Sequence, residues 1–455
     1  MENKNKSKSS KINLSQLVLL GLGSLIGSGW LFGAWEASSI AGPAAIISWI
    51  IGFIVIGTIA YNYIEIGTMF PQSGGMSNYA QYTHGSLLGF IAAWANWVSL
   101  VTIIPIEAVS AVQYMSSWPW EWAKPMGALM KDGSISTIGL FAVYVIIAIF
   151  SLLNYWSVKL LTSFTSLISV FKLGVPLLTI IMLMISGFDT NNYGHSASAF
   201  MPYGSAPIFA ATTTSGIIFS FNAFQTIINM GSEIKNPEKN IARGIAISLT
   251  LSAILYIVLQ STFITSMPSS MIHEHGWNGI NFNSPFADMA ILLGINWLAI
   301  LLYVEAVVSP FGTGVSFVAV TGRVLRAMEK NGHIPKFLGK MNEQYNIPRV
   351  AIAFNAIISM IMVTLFRDWG TLAAVISTAT LVAYLTGPTT VISLRKMAPK
   401  MTRPFKANIL KFMAPLSFVL ASLAIYWAMW PTTAEVIFII ILGLPIYFFL
   451  SLIHI

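Results

Sequence analysis

The chain has 455 residues, 56% of them hydrophobic and only 9% charged. Soluble domains carry about 25% charged residues, so a water-exposed globular enzyme is excluded. The absence of cysteine removes disulfides, thiolate metal sites and cysteine nucleophiles. The formal net charge of +8 invites a nucleic-acid reading, but the distribution of that charge along the chain argues against it.

Runs without Asp, Glu, Lys or Arg cover 12–35, 37–64, 66–106, 133–158, 190–232, 244–273, 369–394 and 412–434. About 20 apolar residues suffice to cross the hydrocarbon core, so the chain is polytopic and all-α. Lys4, Lys6, Lys8 and Lys11 precede the first run, as in a signal peptide. The run is 24 residues long and further membrane segments follow at once, which is too long for a signal h-region; it is read as a retained first helix.

Apolar length and Gly, Pro and charge punctuation predict about twelve transmembrane helices: 14–36, 43–70, 86–115, 135–156, 160–187, 206–230, 241–266, 293–321, 349–366, 369–393, 409–430 and 434–453. The N-terminal tail 1–13 and segments 71–85, 156–160, 231–243, 322–349 and 394–411 hold 20 of the 24 Lys and Arg. By the positive-inside rule these segments, and with them both termini, are cytoplasmic. The basic loops are topology determinants, and no nucleic-acid recognition motif accompanies them.

The first helix reads Gly-Ser-Leu-Ile-Gly-Ser-Gly-Trp at 23–30. Glycine costs about 1 kcal/mol against alanine in a helix interior, so this density marks either small-residue packing or a break. The sixth helix carries a matching interruption, Thr212-Thr213-Thr214-Ser215-Gly216 and then Ser220-Phe221-Asn222-Ala223. The two lie five helices apart, and an odd number inverts the second unit in the membrane. Paired broken helices in two halves point to a transporter's midplane site. Unwinding at 26–29 exposes backbone N–H groups suited to a carboxylate, and freed carbonyls near Leu25, Phe219 and Asn222 suit an ammonium. A site offering both suits an α-amino acid. A dinucleotide fingerprint is rejected, because no strand precedes these glycines.

Among the ionisable residues within the predicted helices, Glu36, Glu65, Glu107, Lys172 and Glu305 stand out. Intramembrane charge is a functional-site hypothesis by default. Lys172 is expected either to switch charge in place of a bound cation or to form a fixed ion pair with Glu107 or Glu305. Glu107, after Pro105, and Glu305, before Ser309-Pro310-Phe311-Gly312-Thr313, are proton-carrier candidates on helices expected to bend or break there. Glu65 and Glu36 are read as interfacial or structural. Trp30 and Phe219 sit at the breaks and are candidates to close over a substrate, against ordinary packing. Asn222, Gln225 and Thr313 are candidates to tune selectivity. His273-Glu274-His275 is expected in an exposed outer loop without metal, and the tryptophans at span ends (Trp118, Trp120, Trp122, Trp427, Trp430) as interface anchors. No nucleophile–base pair or phosphate loop occurs, so the chain is not read as an enzyme and no cofactor is expected.

Ile26-Gly-Ser-Gly29, Gly42-Pro43, Met-Phe-Pro-Gln-Ser-Gly-Gly at 69–75, Gly-Ser-Glu-Ile-Lys-Asn-Pro-Glu-Lys-Asn-Ile at 231–241 and Arg-Val-Leu-Arg-Ala-Met-Glu-Lys-Asn-Gly-His-Ile-Pro at 323–335 carry a resemblance. Over nearly its full length the chain resembles the amino acid–polyamine–organocation transporter superfamily. The resemblance implies a five-plus-five inverted-repeat (LeuT-like) core, 14–187 and 206–393, with broken helices 1 and 6, plus two C-terminal helices at 409–453. It places Ser28, Gly29 and Trp30 at the carboxylate-binding break, with Ile26 and Gly27 beside them as further substrate-binding candidates, and turns the carbonyls of Leu25, Phe219 and Asn222 to the amine. It also makes Phe219 the gate and Lys172 the substitute for sodium. Trp30 and Ala223 depart from the pattern, which is usually aliphatic and glycine there. Gly-Ser-Gly-Trp-Leu-Phe at 27–32, Leu-Asn-Tyr-Trp-Ser-Val-Lys at 153–159 and Val-Leu-Gln-Ser-Thr-Phe-Ile at 258–264 look like the bacterial aspartate–proton symporter group. Members of that group run longer at the C-terminus, which leaves open a shorter relative or a truncated one.

The expectation is a plasma-membrane, proton-coupled importer of an amino acid, acidic by resemblance, with the proton gradient as its energy source. An exchanger or a neutral amino acid permease on the same fold is the nearest rival; a channel and a non-transporting sensor are more distant ones. An acidic side chain would want a cation, and the helices offer only Lys172.

Overall fold

The computed structural model describes residues 11–453 apart from 73, 157, 223 and 343–346, with the backbone alone at 156, 158–170 and 451–453. Ala223, Ser157 and most of the basic tail therefore lie outside the described residues. Helix dominates. The first half runs α1 (Leu14–Leu25), α2 (Gly29–Ala41), α3 (Ala45–Met69), α4 (Gln81–Met115), α5 (Thr137–Trp156), α6 (Val158–Ser186) and the short α7 (Ala197–Phe200). The sixth predicted helix is three pieces, α8 (Ala206–Thr214), α9 (Ile217–Ser220) and α10 (Phe224–Asn229). Then come α11 (Pro237–Ser266), α12 (Ser269–Gly279), α13 (Pro285–Leu292), α14 (Asn296–Lys330), α15 (Arg349–Leu365), α16 (Trp369–Tyr384) and α17 (Thr386–Met397). The chain closes with α18 (Leu410–Trp427), α19 (Thr432–Ile441) and α20 (Leu444–Ile453). One two-stranded hairpin pairs Met130 with Ile135.

Among the described residues, eight helical stretches are long and apolar enough to cross a membrane, and three shorter apolar helices accompany them (Leu14–Leu25, Phe171–Ser186, Arg349–Leu365). The protein is thus an all-α, multi-pass membrane protein. α4 is its spine, packed against α14 and α16: 83% of its most apolar window is buried, against 17% for Thr432–Leu450, which turns its side chains outward. In lipid an outward apolar face needs no cover, so burial rather than hydropathy separates the centre from the rim.

Several boundaries differ from the sequence expectation. Helical torsions run through Pro105, and the interruption in α4 is at Gly85 (φ 76°). α14 likewise continues through Pro310. A proline removes one N–H bond, and tight neighbours hold the helix through it. His273 and His275 lie on the short helix α12 rather than in a loop.

Candidate functional site

The first helix is broken where its glycines predicted. α1 ends at Leu25, residues 26–28 are non-helical, and α2 starts at Gly29. The Ser28 N–H donates to both carboxylate oxygens of Glu107, 2.9 Å to Oε2 and 3.2 Å to Oε1. A Cβ on Gly27 would collide with Glu107 Oε1, so glycine there lets the carboxylate reach the backbone. The next two amides, of Gly29 and Trp30, find no acceptor among the described residues. The buried start of α2 thus carries unpartnered backbone N–H donors of the kind that favour negative charge, and a side chain of the protein already occupies its first position. Trp369 Nε1 donates to Ser28 Oγ at 2.9 Å, and its ring stacks on Phe32 with centroids 5.0 Å apart.

The carbonyls on the other side of the break are not all free. Leu25 O, expected to face the amine, accepts from the Tyr256 hydroxyl and from Gly27 N–H, each at 3.0 Å. Ile26 O accepts from Ser309 Oγ at 3.2 Å. Lys172, 4% exposed, donates to Gly23 O at 3.0 Å and to Thr313 Oγ1 at 2.6 Å. Among the described residues it makes no ion pair with Glu107 or Glu305, although both carboxylates act on it electrostatically. The fixed-ion-pair reading is therefore corrected: a carbonyl and a hydroxyl hold the ammonium. Glu305 is fully buried and neither of its oxygens has a hydrogen-bond partner.

The second break supplies the opposite wall. Gly216 takes φ 81° between α8 and α9, with the Trp369 ring where a Cβ would stand. The chain is non-helical again at Phe221 and Asn222 before α10. Phe219 meets Trp369 edge-on, centroids 6.4 Å apart. Asn222 Nδ2 donates to Thr380 Oγ1 at 3.3 Å, and the Tyr384 hydroxyl contacts Asn222 Oδ1 and donates to Gln225 Oε1 at 2.9 Å. Between the two breaks runs a narrow cleft with a cavity volume of about 20 Å³. Ser24, Leu25, Gly27, Glu107, Phe219, Asn222, Gln225 and Thr313 border it, and it continues past Thr226, Asn229 and Val320 toward the ends of α10 and α14. The structure thus brings Leu25, Gly27, Glu107, Phe219 and Asn222 to one cavity. It sets Ser28 and Lys172 immediately behind, bonded to Glu107 and Thr313. Trp30 points away, 1% exposed and packed on Phe286 of α13 with centroids 5.7 Å apart. A lid over substrate is not its position here.

Two other glutamates fall outside the cavity. Glu65 is not interfacial: it is wholly buried, bonded to Arg395 at 2.9 and 2.5 Å and to the Ala407 N–H at 2.8 Å, with Arg403 at 3.4 Å. It ties α3 to α17 and the segment after it. Glu36 is half-buried near the start of α16, where its carboxylate lies about 3 Å from the place of a Cβ on Gly370. Sequence reasoning missed Tyr256, Trp369, Thr380 and Tyr384. Each is a single polar or aromatic residue on an apolar helix, and nothing local separates it from packing or an interface anchor.

The sequence profile of the amino acid permease family matches residues 12–449. The chain is 52% identical over 433 residues to the glutamate/serine transporter AimA of Bacillus subtilis (strain 168), covering 95% of this chain and 80% of the relative. It is 34% identical over 427 residues to the aspartate-proton symporter of the same organism, covering 93% and 80%. The branched-chain amino acid permease BcaP, also of Bacillus subtilis, is 26% identical over 459 residues, covering 99% and 94%.

Proposed function

The chain belongs to the amino acid permease family, a family of transporters rather than enzymes, and from that premise we propose that it is a proton-coupled amino acid importer of the plasma membrane. The substrate class we propose is acidic, with small hydroxylated amino acids alongside, in line with what its relatives are named for. The carrying observation is the Glu107 carboxylate seated on the Ser28 N–H. A substrate carboxylate seeking the same helix start displaces it, and a carboxylate that loses its donor in a buried site is best relieved by a proton. Substrate binding and proton uptake then become one event. Lys172, buried behind the cleft, holds the break together through Gly23 O and stays beside both carboxylates. Glu305, without any donor of its own, is the second proton carrier in this scheme. The energy source is the proton gradient, and no cofactor enters.

We place two inverted five-helix units at 14–187 and 206–393 with the last helices at 409–453, both termini and the basic segments cytoplasmic. The cleft then opens to the cytoplasm. On the outer side Trp30 on Phe286, Phe32 on Trp369, and Phe32 edge-on to Tyr114 (5.3 Å) close the path. This is an inward-facing state of alternating access, with Phe219 as the gate beside the substrate.

The test is uptake of labelled aspartate and glutamate into liposomes holding the purified chain, with an inward proton gradient and nothing inside. Accumulation abolished by a protonophore and indifferent to sodium supports symport. Uptake only after loading the vesicles with amino acid makes the protein an exchanger, and the proton roles of Glu107 and Glu305 fall.

A further inference from the structure

An acidic substrate in a cavity without a free cation is the one mismatch between the proposed substrate and the site. The wall formed by α10 and the residues before it resolves it. Asn222, Gln225, Thr226 and Asn229 all border the cleft. Gln225 and Asn229 lie one turn apart on one face of α10, and Asn222 stands in the non-helical stretch before it. No lysine or arginine borders the cleft among the described residues. Two of the amides are oriented from behind. The Tyr384 hydroxyl takes the carbonyl oxygens of both Asn222 and Gln225, and Gln225 Nε2 contacts Asn96 Oδ1. Asn222 Nδ2 has only a long bond, 3.3 Å, to Thr380. Asn96 is 2% exposed and its own Nδ2 is buried with no partner.

The consequence is a count of donors and acceptors. Each primary amide has two N–H donors and one oxygen. The single Tyr384 O–H proton serves the oxygens of Asn222 and Gln225 by turns and Asn96 Oδ1 takes Gln225 Nε2, while one N–H of Asn222, one of Gln225 and both of Asn96 are unspent. A buried amide N–H without an acceptor is costly, and the neighbouring open space is the cleft.

We propose that Asn222 and Gln225, positioned by Tyr384 and Asn96, form a neutral, donor-rich subsite that selects amino acids whose side chain ends in oxygen. A carboxylate and a hydroxyl both satisfy it; an ammonium or guanidinium side chain brings only further donors and is rejected. A fixed arginine would have tied the site to carboxylates alone, whereas amide donors serve both. The proposal rests on the transport reading above, and it names Asn222 and Gln225 as the specificity residues. Tyr384 and Asn96 act through them as positioning residues.

Competition for uptake of labelled glutamate by the unmodified chain in proteoliposomes tests this without any variant. Serine and aspartate are expected to compete, and lysine and arginine to need at least about tenfold higher concentration. Lysine competing as well as serine overturns the proposal. Gln225→Glu then reverses one donor into a negative charge: the KM for glutamate is expected to rise about tenfold or more relative to the KM for serine. Tyr384→Phe releases both amide oxygens, so lysine is expected to begin to compete with serine. A glutamate-to-serine KM ratio unchanged in both variants, with serine still transported, contradicts the subsite but leaves the transport reading standing. A chain that moves no amino acid at all removes the reading itself.

Discussion

Ser28 and Glu107, 79 residues apart, meet at the centre of the molecule: one backbone N–H is shared by both oxygens of one carboxylate. A hydrogen bond to a charged acceptor is worth about 1.5–3 kcal/mol, enough to hold Glu107 there and small enough for a substrate carboxylate to replace it. Glu107→Gln keeps an acceptor oxygen for Ser28 but cannot take up a proton. The variant is expected to exchange labelled for unlabelled amino acid across proteoliposomes at near-normal rate and to lose gradient-driven accumulation. Accumulation at the unmodified level would show that the proton travels elsewhere.

Lys172 stabilises the break through two bonds that differ in kind. Thr313→Val removes the hydroxyl and leaves Gly23 O bonded, a loss of about 1.5–3 kcal/mol for a bond to a charged group, read as a KM increase of about ten- to a hundredfold. Lys172→Met removes both bonds and the charge, and at least about a hundredfold drop in uptake is expected. Equal effects of the two substitutions would mean that the hydroxyl, not the ammonium, carries the role.

The Glu65–Arg395–Arg403 group lies away from the cleft and serves the scaffold. Removing one partner of a buried ion pair leaves charge uncompensated and costs about 3–5 kcal/mol; because the Arg395 side chain is 26% exposed, the lower end applies. Glu65→Ala should lower the thermal unfolding temperature in detergent by several degrees, while the fraction that remains folded binds substrate with unchanged affinity. An altered affinity would place Glu65 in the transport path.

His333, in the segment after α14, is fully buried against Phe90 with both ring nitrogens unpartnered. Burial disfavours its charged form and lowers its pKa from 6.5 to about 4. The unfolded chain therefore binds more protons between those values, and stability falls as the pH drops through that window, by about 1–3 kcal/mol. Above pH 7 the term is constant. His333→Leu should flatten the unfolding temperature between pH 4 and 6.5, and a slope identical to that of the unmodified chain would assign the acid sensitivity to other groups.

The helices and the break at 26–28 were legible because their signals are local: charge-free length, and three glycines in seven residues. The meeting of Glu107 with the break was half legible, since intramembrane charge announced the residue but not its partner. The partners of Lys172 were not legible for a physical reason. An ammonium in lipid suggests a carboxylate partner, yet an unwound helix supplies carbonyls that solvate it as well, and Gly23 O does so. Tyr256 on Leu25 and Tyr384 on Asn222 and Gln225 were not legible, because each joins residues more than 150 positions apart. Nothing in a single tyrosine on an apolar helix foretells such a bond. The same holds for Trp369, whose place at a helix start suggests a membrane anchor while its indole is bonded to Ser28.

The most direct test of the central claim is proton uptake during substrate binding. The purified protein, in weakly buffered detergent solution with a pH indicator, is mixed with a saturating amino acid substrate. If the substrate carboxylate takes the Ser28 N–H from Glu107 and Glu107 takes a proton, the solution turns more alkaline, and the signal vanishes in Glu107→Gln although substrate still binds. Binding without proton uptake, or uptake of the same size in Glu107→Gln, would contradict the account.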